Sequence, residues 1–247
     1  MNPSDVADMP KASEARPPEM TTWDAVQAGK FITWASGHCD SQQVVGWRLL
    51  LATGMRRGEL LALRWRDVDL AAGTIAVRRS VGTIKNKGQV QQQVEGPTKT
   101  GRARVVDLDA RTAEIVRGYR KGRAKAAFQL VAGDALVLGD EEGRHRLPES
   151  FSRYFRQQVE RCIRSQVAAA AVGGLAEVQT IPAIHLHELR HSHATILLGA
   201  GVHPKIVQER LGHQTISITL DTYSHVLPTL QRAAADAFGE LLGGAAL

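Results

Sequence analysis

A single stretch of strand-like alternation, from Gly73 to Leu108, interrupts a sequence that is otherwise patterned as helix. Alternation is clearest at 74–77, 89–94 and 103–108, and we predict that these segments form a small three-stranded antiparallel sheet. Pro97 to Gly101 supplies the residues of its last tight turn. Helices are predicted on both sides of this stretch, from about Trp23 to Ile32 and at 42–53, 57–65, 110–129, 148–171, 186–198, 204–211, 218–223 and 228–242. The predicted fold is therefore predominantly α.

Capping residues place several of the predicted helix ends. Thr21 and Thr22 are expected to cap the first helix, and Asp109 the helix that follows the sheet. Gly54 suits the left-handed residue that often closes a helix. Arg56, two residues later, is therefore predicted to lie at a junction between helices rather than on a regular helix face.

Composition excludes two protein classes. No apolar run reaches the ~18 residues of a membrane helix, and two cysteines among 247 residues are too few for a disulfide framework. The start of the chain lacks a secretion signal. We therefore expect no membrane association and a cytoplasmic location. The formal net charge of +6 is compatible with a polyanionic partner, because each Lys or Arg placed on a phosphate releases condensed counterions, but many basic proteins bind no nucleic acid.

Six residues that could act together on a phosphodiester occur in short phrases. Arg56 lies in 53–60, Lys99 in 98–102, His187 and Arg190 in 187–191, and His213 ends 211–213, with Tyr223 ten positions later. Metal-free cleavage of a phosphodiester needs a nucleophile, cationic donors for the non-bridging oxygens, and an acid for the departing oxygen. The set contains residue types suited to all three tasks.

Arg56 and Arg190 are the candidate donors, because a planar guanidinium can hold two phosphate oxygens and stays protonated. Arg190 is one helical turn from His187, so both side chains can share a helix face. Tyr223 is the candidate nucleophile. A phenol with a pKa of ~10 needs a neighbouring base and a cationic pocket to react at neutral pH.

In this order the phrases resemble the catalytic domain of the tyrosine recombinases, the phage integrase family, from about Thr21 to the C-terminus. The resemblance implies a site-specific recombinase that cuts and rejoins double-stranded DNA through a 3′-phosphotyrosine, without metal, ATP or another cofactor. It also implies a homo-tetramer on DNA, a monomer when free, and possible accessory DNA-bending proteins.

The resemblance also implies a role for each residue. His187 is the general base for Tyr223, His213 donates a hydrogen bond to the phosphate, and Lys99 protonates the leaving 5′-hydroxyl. Glu59 is expected to orient the basic side chains. Two further arginines of the same segment as Lys99, Arg102 and Arg104, are expected to contact the DNA backbone.

Residues 1–20 are predicted to form a flexible leader, and 21–247 the catalytic domain. The N-terminal core-binding domain of full-length family members is predicted to be absent, so we expect this chain alone to bind DNA weakly. The tail from Gln231 to Leu247 is predicted to be an amphipathic helix. Docking on a neighbouring protomer and packing on its own core both remain open for that helix.

Other interpretations stay open from sequence alone. His187, Glu188 and His191 form an H-E-x-x-H phrase, the zinc-protease signature, for which Glu209 could supply a third ligand. A non-catalytic DNA-binding module and a type IB topoisomerase would also fit much of the pattern. We expect Trp65 to pack in the core. No role beyond local hydrogen bonding is predicted for four further histidines: His185, His193, His203 and His225.

Overall fold

The computed structural model describes residues 20–84, 92–173, 179–223 and 228–243. Apart from Met20, the predicted leader lies outside these ranges, as does His225. The helices are α1 (Ala25–His38), α2 (Ser41–Thr53), α3 (Arg57–Leu61), α4 (Ala110–Ala126), α5 (Pro148–Val172), α6 (Glu188–Gly199), α7 (Pro204–Leu211), α8 (Ile216–Tyr223) and α9 (Pro228–Gly243). The strands are β1 (Val68–Asp69), β2 (Thr74–Val77), β3 (Arg79–Ile84), β4 (Gln92–Pro97) and β5 (Arg104–Asp107). The predicted fold class is confirmed.

The sheet region differs in detail from the prediction. A three-stranded antiparallel sheet is present, in the order β1-β2-β5. However, β4 pairs with β3 in a separate two-stranded sheet, in the register Arg79↔Pro97 to Ile84↔Gln92. The turn after Pro97 therefore connects the two sheets and does not close a hairpin. The sequence did not reveal β3 because its polar residues and Gly82 lack the alternation of a half-buried strand.

Four aromatic side chains hold the N-terminal helices on α5. Phe31 of α1 lies with its ring centroid 5.0 Å from that of Trp23, 5.3 Å from Trp47 of α2 and 5.4 Å from Phe155 of α5. All four side chains are fully buried, and each such burial contributes about 1.5–3 kcal/mol. The Trp23 backbone N–H also donates to Ser192 Oγ on α6 at 2.9 Å. The aromatic cluster thus links α1, α2, α5 and α6.

The observed helix ends correct two predictions. Asp24, rather than Thr21 or Thr22, caps α1, because its side chain accepts from Gln27 N at 2.7 Å. The helix predicted at 57–65 ends at Leu61. Beyond it, Val137 N donates to Leu63 O and Trp65 N to Ala135 O, so these backbone groups pair with another segment. Trp65 is buried at 2 % exposure, as predicted.

Ionic contacts fasten β3 and β4 to the helical part of the molecule. The Glu95 carboxylate on β4 accepts from Arg64 Nη2 at 2.9 Å and lies 3.0 Å from His145 Nε2 and 3.4 Å from Arg79 Nε. Since Glu95 is only four residues before Lys99, this cluster restrains the strand that leads to the Lys99 turn. Within the described ranges, no helix is both long and apolar enough to cross a membrane.

Candidate active site

Arg190, in the first turn of α6, is the most buried cation of the site. It is 4 % exposed, and its Nη1 donates to the Gly54 carbonyl at 2.6 Å. Its Nη2 is buried and has no hydrogen-bond partner among the described residues. Burial, followed by the nearby charge of Arg56, lowers the pKa of Arg190 to about 9. A buried guanidinium edge without an acceptor is unfavourable, so this edge is suited to binding an anion.

The C-terminal end of α2 forms the base on which Arg190 rests. Three side chains from α6 and α7 form hydrogen bonds to its last backbone carbonyls. Arg190 donates to the carbonyl of Gly54, His193 Nδ1 lies 2.7 Å from that of Leu51, and Arg210 Nη2 donates to that of Ala52 at 2.8 Å. Gly54 closes α2 in the left-handed region, with φ of +64°. A Cβ there would lie 2.6 Å from His193 Cδ2 and 2.7 Å from Leu211 Cδ2.

Gly54→Ala is expected to destabilise the fold by about 2–4 kcal/mol, because left-handed strain and a clash with buried side chains act together. Gly201→Ala is the matched control. Its φ is +80°, but nothing lies within 4 Å of the position that the alanine methyl group would take, so only the strain of about 1–2 kcal/mol remains. Urea unfolding of both variants measures the difference. Equal losses of stability would contradict the proposed clash.

Glu59 joins two arginines, Arg56 and Arg104. Its fully buried carboxylate accepts from Arg56 Nη1 at 3.1 Å and from Arg104 Nη1 and Nη2 at 3.1 and 2.7 Å. Burial acts to raise the pKa of Glu59, but the bonds and charges of Arg104 and Arg56 outweigh it, and the pKa is lowered. Glu59 is therefore ionised at neutral pH and fixes both guanidinium groups.

Arg104 does not occupy the position expected of a DNA-backbone contact. Its side chain is 10 % exposed, points inward to Glu59, and also donates from Nε to the Arg210 carbonyl at 2.8 Å. The DNA-backbone contact expected of Arg104 therefore stays a prediction, and in this structure its guanidinium pairs with the buried Glu59 carboxylate, which needs a cationic partner. Arg102 is exposed.

Tyr223 ends α8 and is fully buried. Its ring packs in an apolar cluster with four residues of α6 and α7: Ala194, Leu198, Val207 and Leu211. Its hydroxyl lies 2.7 Å from Nδ1 of His191. Burial raises the pKa of Tyr223 to about 12, although the charge of Arg190 acts in the opposite direction. The hydroxyl is therefore protonated at neutral pH.

His191 is the site residue that sequence reasoning missed, since it entered only as a zinc ligand. Its ring also meets that of His187 edge to face, with centroids 5.0 Å apart. Burial, followed by His187 and Arg190, lowers the pKa of His191 to about 4. Burial and Arg190 also lower the pKa of His187. The signal was present in the spacing, because His191 follows Arg190 directly and is one turn from His187.

His213 follows the left-handed Gly212 that closes α7. Its Nδ1 lies 2.9 Å from Thr219 Oγ1, which leaves Nε2 available for a ligand. Burial lowers the pKa of His213 to about 4, and the next contributions come from Arg190 and Arg56. The charge of Arg190 acts on the pKa of His187, His213 and Tyr223, and that of Arg56 on Arg190, so five of the six predicted residues form one cluster: Arg56, His187, Arg190, His213 and Tyr223.

Among the described residues, no contact joins Lys99 to that cluster. It lies exposed on the turn after β4, beside a shallow depression that Ser80 and Pro97 also line. Within the described part of the chain its ammonium forms no hydrogen bond or ion pair. Its participation remains a prediction.

The residues of the zinc interpretation point elsewhere. The Glu188 carboxylate accepts the backbone N–H of His185, and His191 directs Nδ1 to Tyr223. Glu209, the suggested third ligand, pairs instead with Lys205 at 3.3 Å on the exposed face of α7, so that suggestion was wrong. Among the residues with described positions, no three potential metal ligands converge.

His203 caps α7, where its Nδ1 accepts from Lys205 N.

Comparison with known proteins places this site in a family. The phage integrase family matches residues 35–229. The ICEBs1 integrase of Bacillus subtilis (strain 168) is 27% identical over 191 residues, which are 77% of this chain and 46% of that protein. The tyrosine recombinase XerC of Roseiflexus sp. (strain RS-1) is 32% identical over 183 residues, which are 72% of this chain and 45% of that protein. The chain thus spans about half the length of the curated relatives it matches.

Two solved structures share the fold. The Tn1549 transposon integrase, solved in complex with transposon right end DNA, has a TM-score of 0.68 at 23% identity, covering 97% of this chain and 70% of that chain. The XerA recombinase has a TM-score of 0.62 at 21% identity, covering 88% and 66%. With the family match extending over most of the described residues and the site geometry above, the chain belongs to the phage integrase family.

Proposed function

We propose that this chain is the catalytic domain of a site-specific DNA recombinase that cuts and rejoins double-stranded DNA through a 3′-phosphotyrosine. The observation that carries the proposal is the Tyr223 hydroxyl, which lies 2.7 Å from His191 Nδ1 and close enough to Arg190 for that charge to act on its pKa. Family membership and the DNA complex of the Tn1549 integrase support DNA as the substrate. We also propose that it acts in the cytoplasm.

In the first step, the Tyr223 oxygen attacks the scissile phosphate. Arg190 Nη2 and Arg56 hold the non-bridging oxygens, and His213 Nε2 donates a further hydrogen bond. Each donor of this kind is worth about 10²–10³ in rate. A neighbouring histidine takes the tyrosine proton, the role predicted for His187, and Lys99 protonates the departing 5′-oxygen. For this step, the Lys99 turn must move from its exposed position to the phosphate, and the buried Tyr223 hydroxyl and Arg190 Nη2 must become accessible to it.

In the second step, a 5′-hydroxyl from a partner strand attacks the phosphotyrosine and the tyrosine leaves. The number of phosphodiester bonds is unchanged, so ATP is not needed, and the arginines supply the charge stabilisation that a metal would otherwise provide. Glu59 contributes by fixing Arg56 and Arg104 before DNA binds. Exposed Arg102 is suited to contact the DNA backbone.

We further propose that four copies assemble on DNA and that α9 connects them. α9 carries Phe238, Leu241 and Leu242 at helical spacing on one stripe, and these are 63%, 76% and 61% exposed. Because these apolar side chains are exposed in this chain, we propose that α9 packs on a neighbouring protomer rather than on its own core. No feature of the described residues supports accessory DNA-bending proteins. Sedimentation velocity of the protein with and without DNA should give tetramer and monomer, respectively.

The proposal is tested by trapping the covalent complex. The probe is a set of short duplexes of randomised sequence, each nicked so that the 5′-hydroxyl fragment diffuses away after cleavage. Denaturant-resistant protein–DNA adducts should form, and peptide mass spectrometry should place the nucleotide on Tyr223. The chain has only two other tyrosines, Tyr119 and Tyr154. Adducts on either of them, or specific DNA binding without any adduct, would overturn the proposal.

A further inference from the structure

The Tyr223 hydroxyl is bonded by a histidine that the predicted catalytic set does not contain. Nδ1 of His191 lies 2.7 Å from the hydroxyl, and within the described ranges no other side chain forms a hydrogen bond to it. We propose that His191, rather than His187, accepts the Tyr223 proton during DNA cleavage. This inference rests on the proposed function, since it names the base of the same reaction.

The order of the rings on α6 supports this assignment. The His191 ring contacts that of Tyr223, with centroids 5.7 Å apart, and that of His187, with centroids 5.0 Å apart. Among the described aromatic contacts, His187 meets only His191. A general base must lie within hydrogen-bond reach of the proton it removes, and His191 meets that condition before any rearrangement.

The protonation state is also suitable. Burial, then His187 and Arg190, lowers the pKa of His191 to about 4, so its ring is neutral at pH 7. The phenol therefore donates its O–H to the Nδ1 lone pair, and the ring proton is on Nε2. The titratable and charged groups that face His191 are His187, Arg190 and Tyr223. An arriving phosphate adds negative charge near this cationic set and favours the protonated ring.

The proton inventory of the step balances. As the Tyr223 oxygen forms its bond to phosphorus, its O–H bond breaks and the proton moves to His191 Nδ1. The bond between phosphorus and the 5′-oxygen breaks, and that oxygen takes a proton from Lys99. Resealing reverses both transfers. His187 is then free to polarise the phosphate or to orient His191 through their edge-to-face contact.

The test compares His191→Asn with His187→Asn on one nicked duplex selected from the randomised set. Asn places an oxygen acceptor near the Nδ1 position, but it cannot take up a proton. His191→Asn should lower the rate of adduct formation about 10²–10³-fold at neutral pH, with DNA binding unchanged. Its rate should keep rising with pH, whereas that of the unmodified protein should level off once His191 is deprotonated. Thermal unfolding checks that each variant is folded. If His191→Asn is not folded, His191→Gln is used in its place.

A 5′-bridging sulfur at the scissile phosphate separates base from acid, because a thiolate departs without a proton. Lys99→Ala should recover activity on this substrate, and His191→Asn should not. The inference is overturned if His191→Asn cleaves within about threefold of the unmodified protein, if the sulfur restores it, or if only His187→Asn shows the loss. Failure of the unmodified protein to form an adduct on Tyr223 would instead remove the proposed function.

Discussion

Tyr223→Phe is expected to abolish covalent attachment to DNA while leaving the fold and DNA binding nearly intact. The phenyl ring keeps its packing against the apolar side chains of α6 and α7. The variant loses only the hydroxyl and its bond to His191, at a cost of about 1 kcal/mol. Without the nucleophilic oxygen, adduct formation should fall by at least about 10⁴-fold. The measurement is the yield of denaturant-resistant adducts on nicked DNA, together with a gel-shift affinity.

Tyr119→Phe and Tyr154→Phe are the matched controls. Tyr119 is also buried, and its hydroxyl donates to the Val137 carbonyl at 3.0 Å, so its loss has a similar effect on stability. Tyr154 is partly exposed on α5. Both controls should form adducts at the normal rate. Persistent adducts in Tyr223→Phe would require another nucleophile, and a large loss of DNA affinity in this variant would assign Tyr223 to binding instead.

Local signals in the sequence predicted much of the fold. Helix ends were readable where one residue fixes the backbone: Gly54 closes α2 in the left-handed region, and the Asp109 side chain caps α4 by accepting from Thr112 N at 2.9 Å. The pairing of β3 with β4 was not readable. Those strands are largely polar and are held by ionic contacts such as Arg64 to Glu95, which join residues 31 positions apart. Hydrophobic periodicity carries no information about such contacts.

The candidate site was predictable to the extent that residue type determines chemistry. The nucleophile, the arginines and two histidines could be named because the short phrases around them resemble the family's motifs and each residue type suits one task of the reaction. The direction of a side chain depends on tertiary packing, which the sequence does not show. Two side chains, those of Arg104 and His191, point in directions that the sequence did not predict. Arg104 turns inward because Glu59 is fully buried, and His191 meets Tyr223 because α8 ends against α6. Neither contact is local in sequence.

Arg190→Lys is expected to lower the cleavage rate about 10²–10³-fold. An ammonium carries its three N–H donors on one nitrogen, so it cannot bond the Gly54 carbonyl and a phosphate oxygen from two separate, fixed positions as a guanidinium can. DNA affinity should change much less, because many other phosphate contacts contribute to binding. Single-turnover cleavage on nicked DNA, with protein in excess, measures the chemical step separately from binding.

Arg210→Lys separates catalysis from the structural role that both arginines share. Arg210 also supports the C-terminal end of α2, since its Nη2 donates to the Ala52 carbonyl at 2.8 Å. The same nitrogen, Arg210 Nη2, also donates to the Asp107 carbonyl. In contrast to Arg190, therefore, Arg210 has no buried N–H without a partner among the described residues. Both variants should therefore lose similar stability, about 1–2 kcal/mol, but only Arg190→Lys should lose cleavage once folded. An equal loss of cleavage in Arg210→Lys would mean that Arg190 acts by holding the end of α2 and not by binding the phosphate.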